Sequence, residues 1–269
     1  MQTLGQHFLK NKSAVELIVR ALELAPGDTV VEIGAGHGEL TLQMANSAGQ
    51  ITAIEKDGQL VQNLESRIQN PEIKNVRIVH GDALKILPDV ITELPNYRIT
   101  NYKLVGNIPY YITGHLLRII SELEQKPERC VFTVQREVAE RIVAVPPKAN
   151  RLSISVGYWA AAKIVKTLHP GDFSPAPKVD SAIIAFEKKL SPAFPDADQY
   201  YAAARAIFAQ PRKTVLNNLT QRHAIWDKGQ GNGDKKDTAR ILKTVGIDPE
   251  ARPQNMSMEN IAAIARAFF

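Results

Sequence analysis

Four consecutive residues, Asn107, Ile108, Pro109 and Tyr110, follow a predicted strand and combine hydrogen-bond acceptors with an aromatic ring. The Asn107 side-chain oxygen and the Ile108 carbonyl oxygen can accept hydrogen bonds from a substrate amino group. That frees the nitrogen lone pair and stabilises the positive charge that develops during group transfer. Pro109 stiffens the loop, and Tyr110 offers a face on which a planar base can stack. The pattern therefore indicates chemistry at an amino group, although a proline-containing loop with buried tyrosines is the alternative.

A glycine-rich turn, Gly-Ala-Gly-His-Gly at 34–38, follows an earlier predicted strand and precedes a helix. Glycines at such a turn let a ligand approach the backbone closely, although a tight strand-to-helix turn has the same composition. The dinucleotide fingerprint G-x-G-x-x-G would need another glycine where this chain has Glu39. Because a glutamate at a helix N-terminus repels a pyrophosphate, Gly34 and Gly36 predict a cofactor without phosphate rather than NAD.

Acidic residues stand at the ends of the next two predicted strands. Glu55 comes 21 residues after Gly34, where a carboxylate can accept hydrogen bonds from both ribose hydroxyls of a nucleoside cofactor. Asp82 follows the third strand, where it can accept a hydrogen bond from an adenine amino group. Considered separately, Glu55 could be an ordinary surface glutamate and Asp82 an ordinary helix cap. Their order after the glycine turn favours one nucleoside site, which resembles the S-adenosylmethionine site of Rossmann-like methyltransferases.

These residues need a scaffold that brings strand ends together. Apolar strands alternate with helices over the first 190 residues, which is typical of βαβ units and a mostly parallel sheet. Two late strands without a helix between them predict an antiparallel closing pair. After a linker at 191–195 only helices are predicted. The predicted fold class is α/β, with a first domain at 1–190 and a small all-α C-terminal domain at 191–269.

The bounds of the predicted elements are as follows. The strands are 29–33, 51–55, 76–79, 102–106, 129–135, 163–168 and 181–187, and the C-terminal helices are 197–209, 212–221, 237–245 and 257–267. The apolar run 152–162 fits either type, and 227–237 is predicted to be a loop.

Composition excludes several classes of protein. With 269 residues and 44% hydrophobic residues the chain can form a full core. A single cysteine, Cys130, excludes a disulfide framework and fits a reducing compartment, the cytoplasm. We expect no metal site and no membrane span, because no stretch of about 20 apolar residues occurs. The net charge is +5, and the part after Leu190 is the more basic per residue, which weakly favours a polyanionic partner.

The whole chain resembles the small-subunit ribosomal RNA adenine dimethyltransferase family. The loop at 107–110 matches the N-[IL]-P-[YF] motif of amino-methyltransferases that act on nucleic-acid bases, and four further segments match motifs of the family. These are Gln6–Leu9, Gln135–Arg141, Phe173–Ser181, and a C-terminal signature of Phe208, Arg212-Lys213-Thr214 and Asn217-Asn218. Without the resemblance, the last segment would be interpreted as a helix with Pro211 in its first turn.

The resemblance implies a fold, a reaction and roles for individual residues. It implies a class I, Rossmann-like methyltransferase that uses S-adenosylmethionine, which Gln6, His7 and Leu9 contact at the methionine end, the last two mainly through their backbone. It implies that Phe173 clamps the target base against Tyr110. The roles of the residues at 34, 36, 55, 82 and 107 in cofactor binding, and at 107–110 in catalysis, follow the same resemblance.

The implied substrate is the rRNA of a precursor 30S particle. The implied product is N6,N6-dimethyladenosine at two adjacent adenosines in the loop of its 3′-terminal hairpin, where unpaired bases splay out readily. Arg212 and Lys213 would contact RNA phosphates, and we expect a monomer. Two positions depart from the family: Ala35 stands where proline is usual, and Pro211 where arginine is frequent.

Three other functions compete with this interpretation. A large-subunit rRNA adenine methyltransferase of the antibiotic-resistance type would share the glycine turn and the Asn-Ile-Pro-Tyr loop, but the long C-terminal segment favours the small-subunit enzyme. An rRNA-binding assembly factor with little catalysis would not need Glu55, Asp82 and Asn107 together. A nicotinamide oxidoreductase is disfavoured by Glu39.

Overall fold

The structure is a computed structural model that describes residues 6–69, 73–95, 101–189, 196–226 and 234–269. Contacts between residues divide the chain into two compact units. The first unit comprises Met1–Glu140 and Ala161–Lys188, and the second comprises Arg141–Ala160 and Lys189–Phe269. Within the described ranges, no helix has the length and apolar character that crossing a membrane requires.

The first unit is built on a seven-stranded sheet. Its strands in spatial order are β4 (Val76–His80), β3 (Gln50–Glu55), β2 (Thr29–Ile33), β5 (Tyr102–Asn107), β6 (Arg129–Gln135), β9 (Ser181–Lys188) and β7 (Ala160–Leu168). The first five run parallel, and β9 runs antiparallel to β6. A separate two-stranded ribbon joins β1 (Phe8–Leu9) to β8 (Phe173–Ser174). The mostly parallel α/β sheet predicted from the sequence is confirmed.

The parallel strands are connected by the helices α2 (Glu39–Ala45), α3 (Gly58–Ile68), α4 (Ala83–Thr92) and α5 (Thr113–Glu122). Helix α1 (Lys12–Ala21) precedes β2, and α6 (Arg136–Ile142) follows β6. Every residue of β2 is buried, because the sheet is covered on both faces. Helix α4 was not predicted from the sequence. Asp82 caps its N-terminus by accepting a hydrogen bond from the Leu84 N–H.

The order of the strands reverses direction at β2, which has β3 on one side and β5 on the other. A crevice at the carboxyl ends of the strands forms at such a point and is where open α/β sheets bind ligands. The two strand ends approach closely here. A Cβ atom at Gly106 would lie 2.5 Å from the carbonyl oxygen of Ile33, so no other residue fits at that position.

The second unit is helical and has its own apolar core. It contains α7 (Arg151–Trp159), α8 (Ala197–Ile207), α9 (Val215–Trp226), α10 (Lys235–Thr244) and α11 (Met258–Phe268). Ile154 of α7 is buried in one cluster with Tyr200 and Ile261, and its carbonyl oxygen accepts a hydrogen bond from the Tyr200 hydroxyl at 3.3 Å. The domain boundary predicted from the sequence, after residue 190, places 141–160 in the first domain. The contacts in the structure place that segment in the second unit.

Several predicted elements differ in the structure by one or two residues at an end, and two differ by more. The apolar run 152–162 divides into the end of α7 and the start of β7. The helix predicted from residue 212 begins at Val215, because residues 210–214 form a turn that precedes it. The predicted linker at 191–195, and most of the predicted loop at 227–237, lie outside the described residues.

Candidate active site

A cavity opens at the carboxyl ends of the strands, at the point where the strand order reverses. Its wall contains most of the site residues that the sequence analysis singled out. These are Gln6, His7, Gly34, Gly36, Glu55, Asp82, Asn107, Ile108, Pro109 and Tyr110. Leu9 lines a smaller adjoining cavity. Phe173 lines neither.

The glycine turn between β2 and α2 has a backbone that favours glycine. Gly34 and Gly36 have φ angles of +72° and +59°, in the left-handed region. A Cβ atom at Gly36 would also lie 3.1 Å from the ring of Phe8, which covers the turn. Ala35 donates its backbone N–H to the carbonyl oxygen of Ile54 at 3.2 Å. Proline could not make this bond, so the departure at Ala35 adds a hydrogen bond to the turn.

Glu55 is buried at the end of β3 and joins that strand to the glycine turn. One carboxylate oxygen accepts from the backbone N–H of Gly36 at 2.8 Å. The other accepts from the N–H groups of Lys56 and Asp57, at 2.7 and 2.8 Å. Each oxygen of an ionised carboxylate has two lone-pair positions, and three of the four are used here. The carboxylate is thus fixed in orientation and lines the cavity.

Asp82 lies in the same wall with its second oxygen paired to a cation. Lys56 Nζ donates to Asp82 Oδ2 at 2.9 Å. This hydrogen bond is the main reason that the pKa of Asp82 is lowered from its ordinary value, so the group is an ionised acceptor at neutral pH. Lys56 was not predicted from the sequence, because a lysine after a strand cannot be distinguished there from an ordinary solvated side chain.

Asn107 ends β5 with its side chain held in one orientation. Its Nδ2 donates to the carbonyl oxygen of His7 at 2.6 Å. A carbonyl can only accept, so the amide nitrogen must face His7. Within the described ranges, Oδ1 forms no hydrogen bond and remains available as an acceptor. The backbone N–H of Ile108 donates to the carbonyl oxygen of Thr133 at 3.1 Å, which fixes the loop to β6.

Tyr110 is half-buried and is held at both its ring and its hydroxyl. The hydroxyl lies 2.6 Å from the Ser181 Oγ, and burial raises the pKa of Tyr110. The His7 ring stacks on the tyrosine with the centroids 5.7 Å apart and the planes 28° apart. His7 Nδ1 lies 2.8 Å from the carbonyl oxygen of Pro175, so Nδ1 carries the proton.

Phe173 does not face Tyr110, which corrects the predicted two-ring clamp. The residue pairs with Leu9 in the β1–β8 ribbon. Its side chain is 1% exposed and belongs to the apolar cluster that contains Ile18 and Val105. Antiparallel pairing with Leu9 turns the ring into the core, and the ring that contacts Tyr110 is that of His7.

A buried acid, Glu32, lies beneath the glycine turn and was not singled out from the sequence. It is 1% exposed and accepts a hydrogen bond from the Thr41 hydroxyl at 2.5 Å. Burial raises the pKa of Glu32 to about 8, with smaller contributions from the charges of Glu39 and Glu55. The signal was present in the sequence, since an acidic residue in an otherwise apolar strand is exceptional.

Arg212 and Lys213 lie in the turn before α9, in the second unit. The buried side chain of Asn218 holds this turn. Its Oδ1 accepts from the Gln210 N–H at 2.9 Å, and its Nδ2 donates to the carbonyl oxygens of Gln210 and Thr214 at 3.0 and 3.1 Å. Arg212 is exposed, Lys213 is half-buried, and Arg252 donates to the Arg212 carbonyl oxygen. The turn therefore presents two cations from a fixed backbone.

The described part of the chain contains no cluster of three His, Cys, Asp or Glu side chains that could hold a metal ion. Cys130 is buried in β6, and burial raises the pKa of its thiol well above the ordinary value. The raised pKa keeps the Cys130 thiol protonated, and hence unreactive, at neutral pH.

Two solved structures share the fold over nearly their whole length. A dimethyladenosine transferase from Plasmodium falciparum superposes with a TM-score of 0.80 and 26% identity, and the match covers 96% of each chain. The 23S rRNA methyltransferase ErmE superposes with a TM-score of 0.73 and 22% identity, over 97% of this chain and 98% of that one. The fold is therefore that of the class I, Rossmann-like methyltransferases.

The sequence profile of the family described as "Ribosomal RNA adenine dimethylase" matches residues 1–264. Proteins named "Ribosomal RNA small subunit methyltransferase A" are also similar. The one from Dehalococcoides mccartyi (strain 195) is 38% identical over 95% of this chain and 84% of its own length. The one from Moorella thermoacetica is 37% identical over 97% of this chain and 90% of its own length. The chain belongs to the ribosomal RNA adenine dimethylase family.

Proposed function

We propose that this chain transfers methyl groups from S-adenosylmethionine to N6 of two adjacent adenosines in the 3′-terminal hairpin loop of small-subunit rRNA. The product is N6,N6-dimethyladenosine. The observation that carries the proposal is the orientation of Asn107, whose Oδ1 is an acceptor in the cavity wall because Nδ2 is bonded to His7. The relatives named for the small subunit support that substrate over the large subunit.

The residues of the cavity fit a nucleoside cofactor. At Gly34 a Cβ atom would meet nothing within 4 Å, so the glycine leaves open space in which a ligand can approach the backbone. Glu55 has one lone-pair position left after its three backbone hydrogen bonds, so it is proposed to accept from one ribose hydroxyl rather than from both, as the sequence alone suggested. Asp82 is proposed to accept from the adenine amino group. Gln6, with the backbone of His7 and Leu9, is proposed to contact the methionine end. When bound, S-adenosylmethionine supplies a methyl group on a sulfonium, which is a strong electrophile.

The proposed chemistry at the substrate uses two acceptors. N6 of adenine is a poor nucleophile because its lone pair is delocalised into the ring. Hydrogen bonds from its N–H groups to Asn107 Oδ1 and the Ile108 carbonyl oxygen favour a pyramidal nitrogen with a free lone pair, and they stabilise the developing positive charge. Once N6 has gained the methyl group it is an acidic ammonium, and it releases its proton to water without a strong general base.

The target base is proposed to stack on Tyr110. A tyrosine ring has two faces, and the His7 ring occupies one of them in this structure, so the base takes the other. Pro109 begins the tight turn that carries Tyr110 and restricts its backbone. Stacking holds N6 in line for attack, which is the positioning that such a transfer requires.

The substrate particle is proposed to be a precursor of the small subunit in the cytoplasm, and the chain to act as a monomer. Arg212 and Lys213 are proposed to contact RNA phosphates, which position the substrate without reading its sequence. Pro211, which stands beside them, offers no charge to the RNA.

The decisive experiment measures methyl transfer from labelled S-adenosylmethionine to small subunits that lack this modification. Large subunits and protein-free rRNA serve as controls, and mass spectrometry of the rRNA digest locates the product. We expect dimethyladenosine at the 3′-terminal hairpin of small subunits alone. Transfer to large subunits would support the resistance-type alternative. Salt-sensitive binding to small subunits without transfer would support an assembly factor.

A further inference from the structure

Two consecutive tyrosines at the cavity have different surroundings. Tyr110 is half-buried and bonded to Ser181. Tyr111 also lines the cavity, but it is 68% exposed. Both lie in one turn of 3₁₀ helix, Tyr110–Ile112, in which successive side chains point about 120° apart. The backbone therefore directs one ring inward and presents the other at the mouth of the cavity.

Packing in the described residues leaves the Tyr111 side chain largely in solvent, at 68% exposed. Only Val145, Ile164 and Val179 are comparable as exposed large apolar side chains among the described residues. None of these three is aromatic, and none lines the cavity. An aromatic face that remains in water beside a binding cavity is available to stack on a planar partner.

A cation lies at the same mouth. Lys56 lines the cavity, and its side chain is 54% exposed. Its pKa is raised mainly by its hydrogen bond to Asp82, and the Tyr111 hydroxyl adds a smaller electrostatic effect of the same sign. The lysine is therefore charged at neutral pH, and it lines the same cavity as Tyr111. An aromatic ring and a cation at one cavity are features that bind a nucleotide of a single strand.

We propose that Tyr111 and Lys56 bind the nucleotide next to the target adenosine, with its base stacked on Tyr111 and its phosphate paired with Lys56. The inference rests on the proposed function and adds a second nucleotide site to it. Where the two methylated adenosines are adjacent, the neighbour of one target is the other. Purines stack well on aromatic rings, so this site favours adenosine pairs over an isolated adenosine.

The test compares Tyr111→Ala with Tyr111→Phe on unmodified small subunits, with labelled cofactor at saturation. Loss of the ring should raise the KM for subunits about tenfold, as expected for one stacked base. The phenylalanine variant keeps the ring face and should stay within about twofold of the wild type. Binding of S-adenosylmethionine to the free protein should not change in either variant. Ile164→Ala, which removes an exposed apolar side chain elsewhere in the same unit, is the matched control and should behave as the wild type.

A double-mutant cycle identifies the partner of the ring. Small subunits are reconstituted with rRNA that has an abasic nucleotide beside the target adenosine. If Tyr111 stacks on that base, the abasic substrate raises the KM of the wild type about as much as Tyr111→Ala does. The two changes together then raise the KM no more than either change alone. Fully additive effects, or equal losses in the alanine and phenylalanine variants, would overturn the inference.

Salt dependence tests the role of Lys56. Lys56→Gln should lower the slope of log affinity against log salt by about 0.7, the value for one phosphate of a single strand, while an unchanged slope contradicts the phosphate contact. These outcomes are separate from failure of the proposed function. If the wild type does not methylate small subunits, the proposed function fails. If it does and Tyr111→Ala is unaffected, only the neighbouring-nucleotide site fails.

Discussion

The side-chain amide of Asn107 donates to the backbone carbonyl oxygen of His7 at 2.6 Å. This hydrogen bond joins the end of a central strand to the N-terminal arm, the segment 6–11 before α1, 100 residues away along the chain. It also decides which atom of the amide faces the substrate, because only the nitrogen can donate to a carbonyl. The acceptor that the chemistry needs is therefore oriented by the backbone rather than by another side chain.

Replacement of Asn107 tests this arrangement. Asn107→Ala should lower the methyl-transfer rate at saturating substrate by about 10²–10³-fold, the usual effect of removing one oriented group that stabilises transition-state charge. Binding of S-adenosylmethionine should be largely retained. Single-turnover transfer and calorimetric titration measure the two quantities separately. Loss of cofactor binding instead would mean that Asn107 acts chiefly in cofactor binding, the second role that the resemblance implies for it, or as a structural residue.

Glu55 should control cofactor affinity. Glu55→Ala removes the proposed acceptor of a ribose hydroxyl and also leaves the buried N–H of Gly36 without its partner. A hydrogen bond to a charged group contributes about 1.5–3 kcal/mol, so the Kd for S-adenosylmethionine should rise by about 10–100-fold. Glu55→Gln keeps one side-chain oxygen, so its Kd for S-adenosylmethionine should lie between those of the wild type and the alanine variant. Unchanged affinity in the alanine variant would refute the ribose role, and melting curves check that both variants fold.

Arg212 and Lys213 should contribute to the salt dependence of RNA binding. If each contacts one phosphate, the double alanine variant should lower the slope of log affinity against log salt by about 1.4, at about 0.7 per single-stranded phosphate. Transfer at saturating subunit concentration should change less. Arg118→Ala, in an exposed ion pair with Glu122, is the control for loss of a surface cation. An unaltered slope in the double variant would place the RNA surface elsewhere.

Glu32 should make the stability of the protein depend on pH. Because burial raises the pKa of Glu32 to about 8 in the folded state, the fold favours the protonated form. Its contribution is fully present below the ordinary pKa of about 4.5 and is lost as the pH rises to about 8, by at most about 1.4 kcal/mol per pH unit. Glu32→Gln cannot ionise and should lack this loss.

Urea unfolding at pH 5, 6.5 and 8 measures the effect. The difference in free energy of unfolding between wild type and Glu32→Gln should shift in favour of the variant as the pH rises. All other titrating groups are common to both proteins and cancel in this difference. Two curves that stay parallel over this range would show that Glu32 does not titrate as its burial requires.

Residues at strand ends were the part of the site that could be predicted from the sequence. Gly34, Glu55, Asp82 and Asn107 each follow an apolar strand, and a parallel sheet brings such positions to one edge. The structure places all four in one cavity wall. The alternation of strands and helices, the spacing of the residues and their types were sufficient to predict this part of the site, because each residue is positioned by the strand that it follows.

Positions that depend on distant parts of the chain could not be predicted. Phe173 precedes a strand and has the ring that a base clamp needs, yet its pairing with Leu9 buries it. The hydrogen bonds of Asn218 to the turn at 210–214 place the start of α9 at Val215 rather than at residue 212. The assignment of 141–160 to the second unit depends on the burial of Ile154. None of these contacts leaves a periodic signal.

The pairing of β1 with β8 has a consequence for how the protein is made. One wall of the cavity comes from the N-terminal arm, and that arm is held by Phe173 and Pro175. His7 and Pro175 are 168 positions apart, so a nascent chain emerging from the ribosome has the glycine turn and its acids long before it has the segment that fixes the arm. Contacts of such long sequence separation form slowly. Cofactor binding during translation should therefore appear only after the segment around Pro175 has left the exit tunnel.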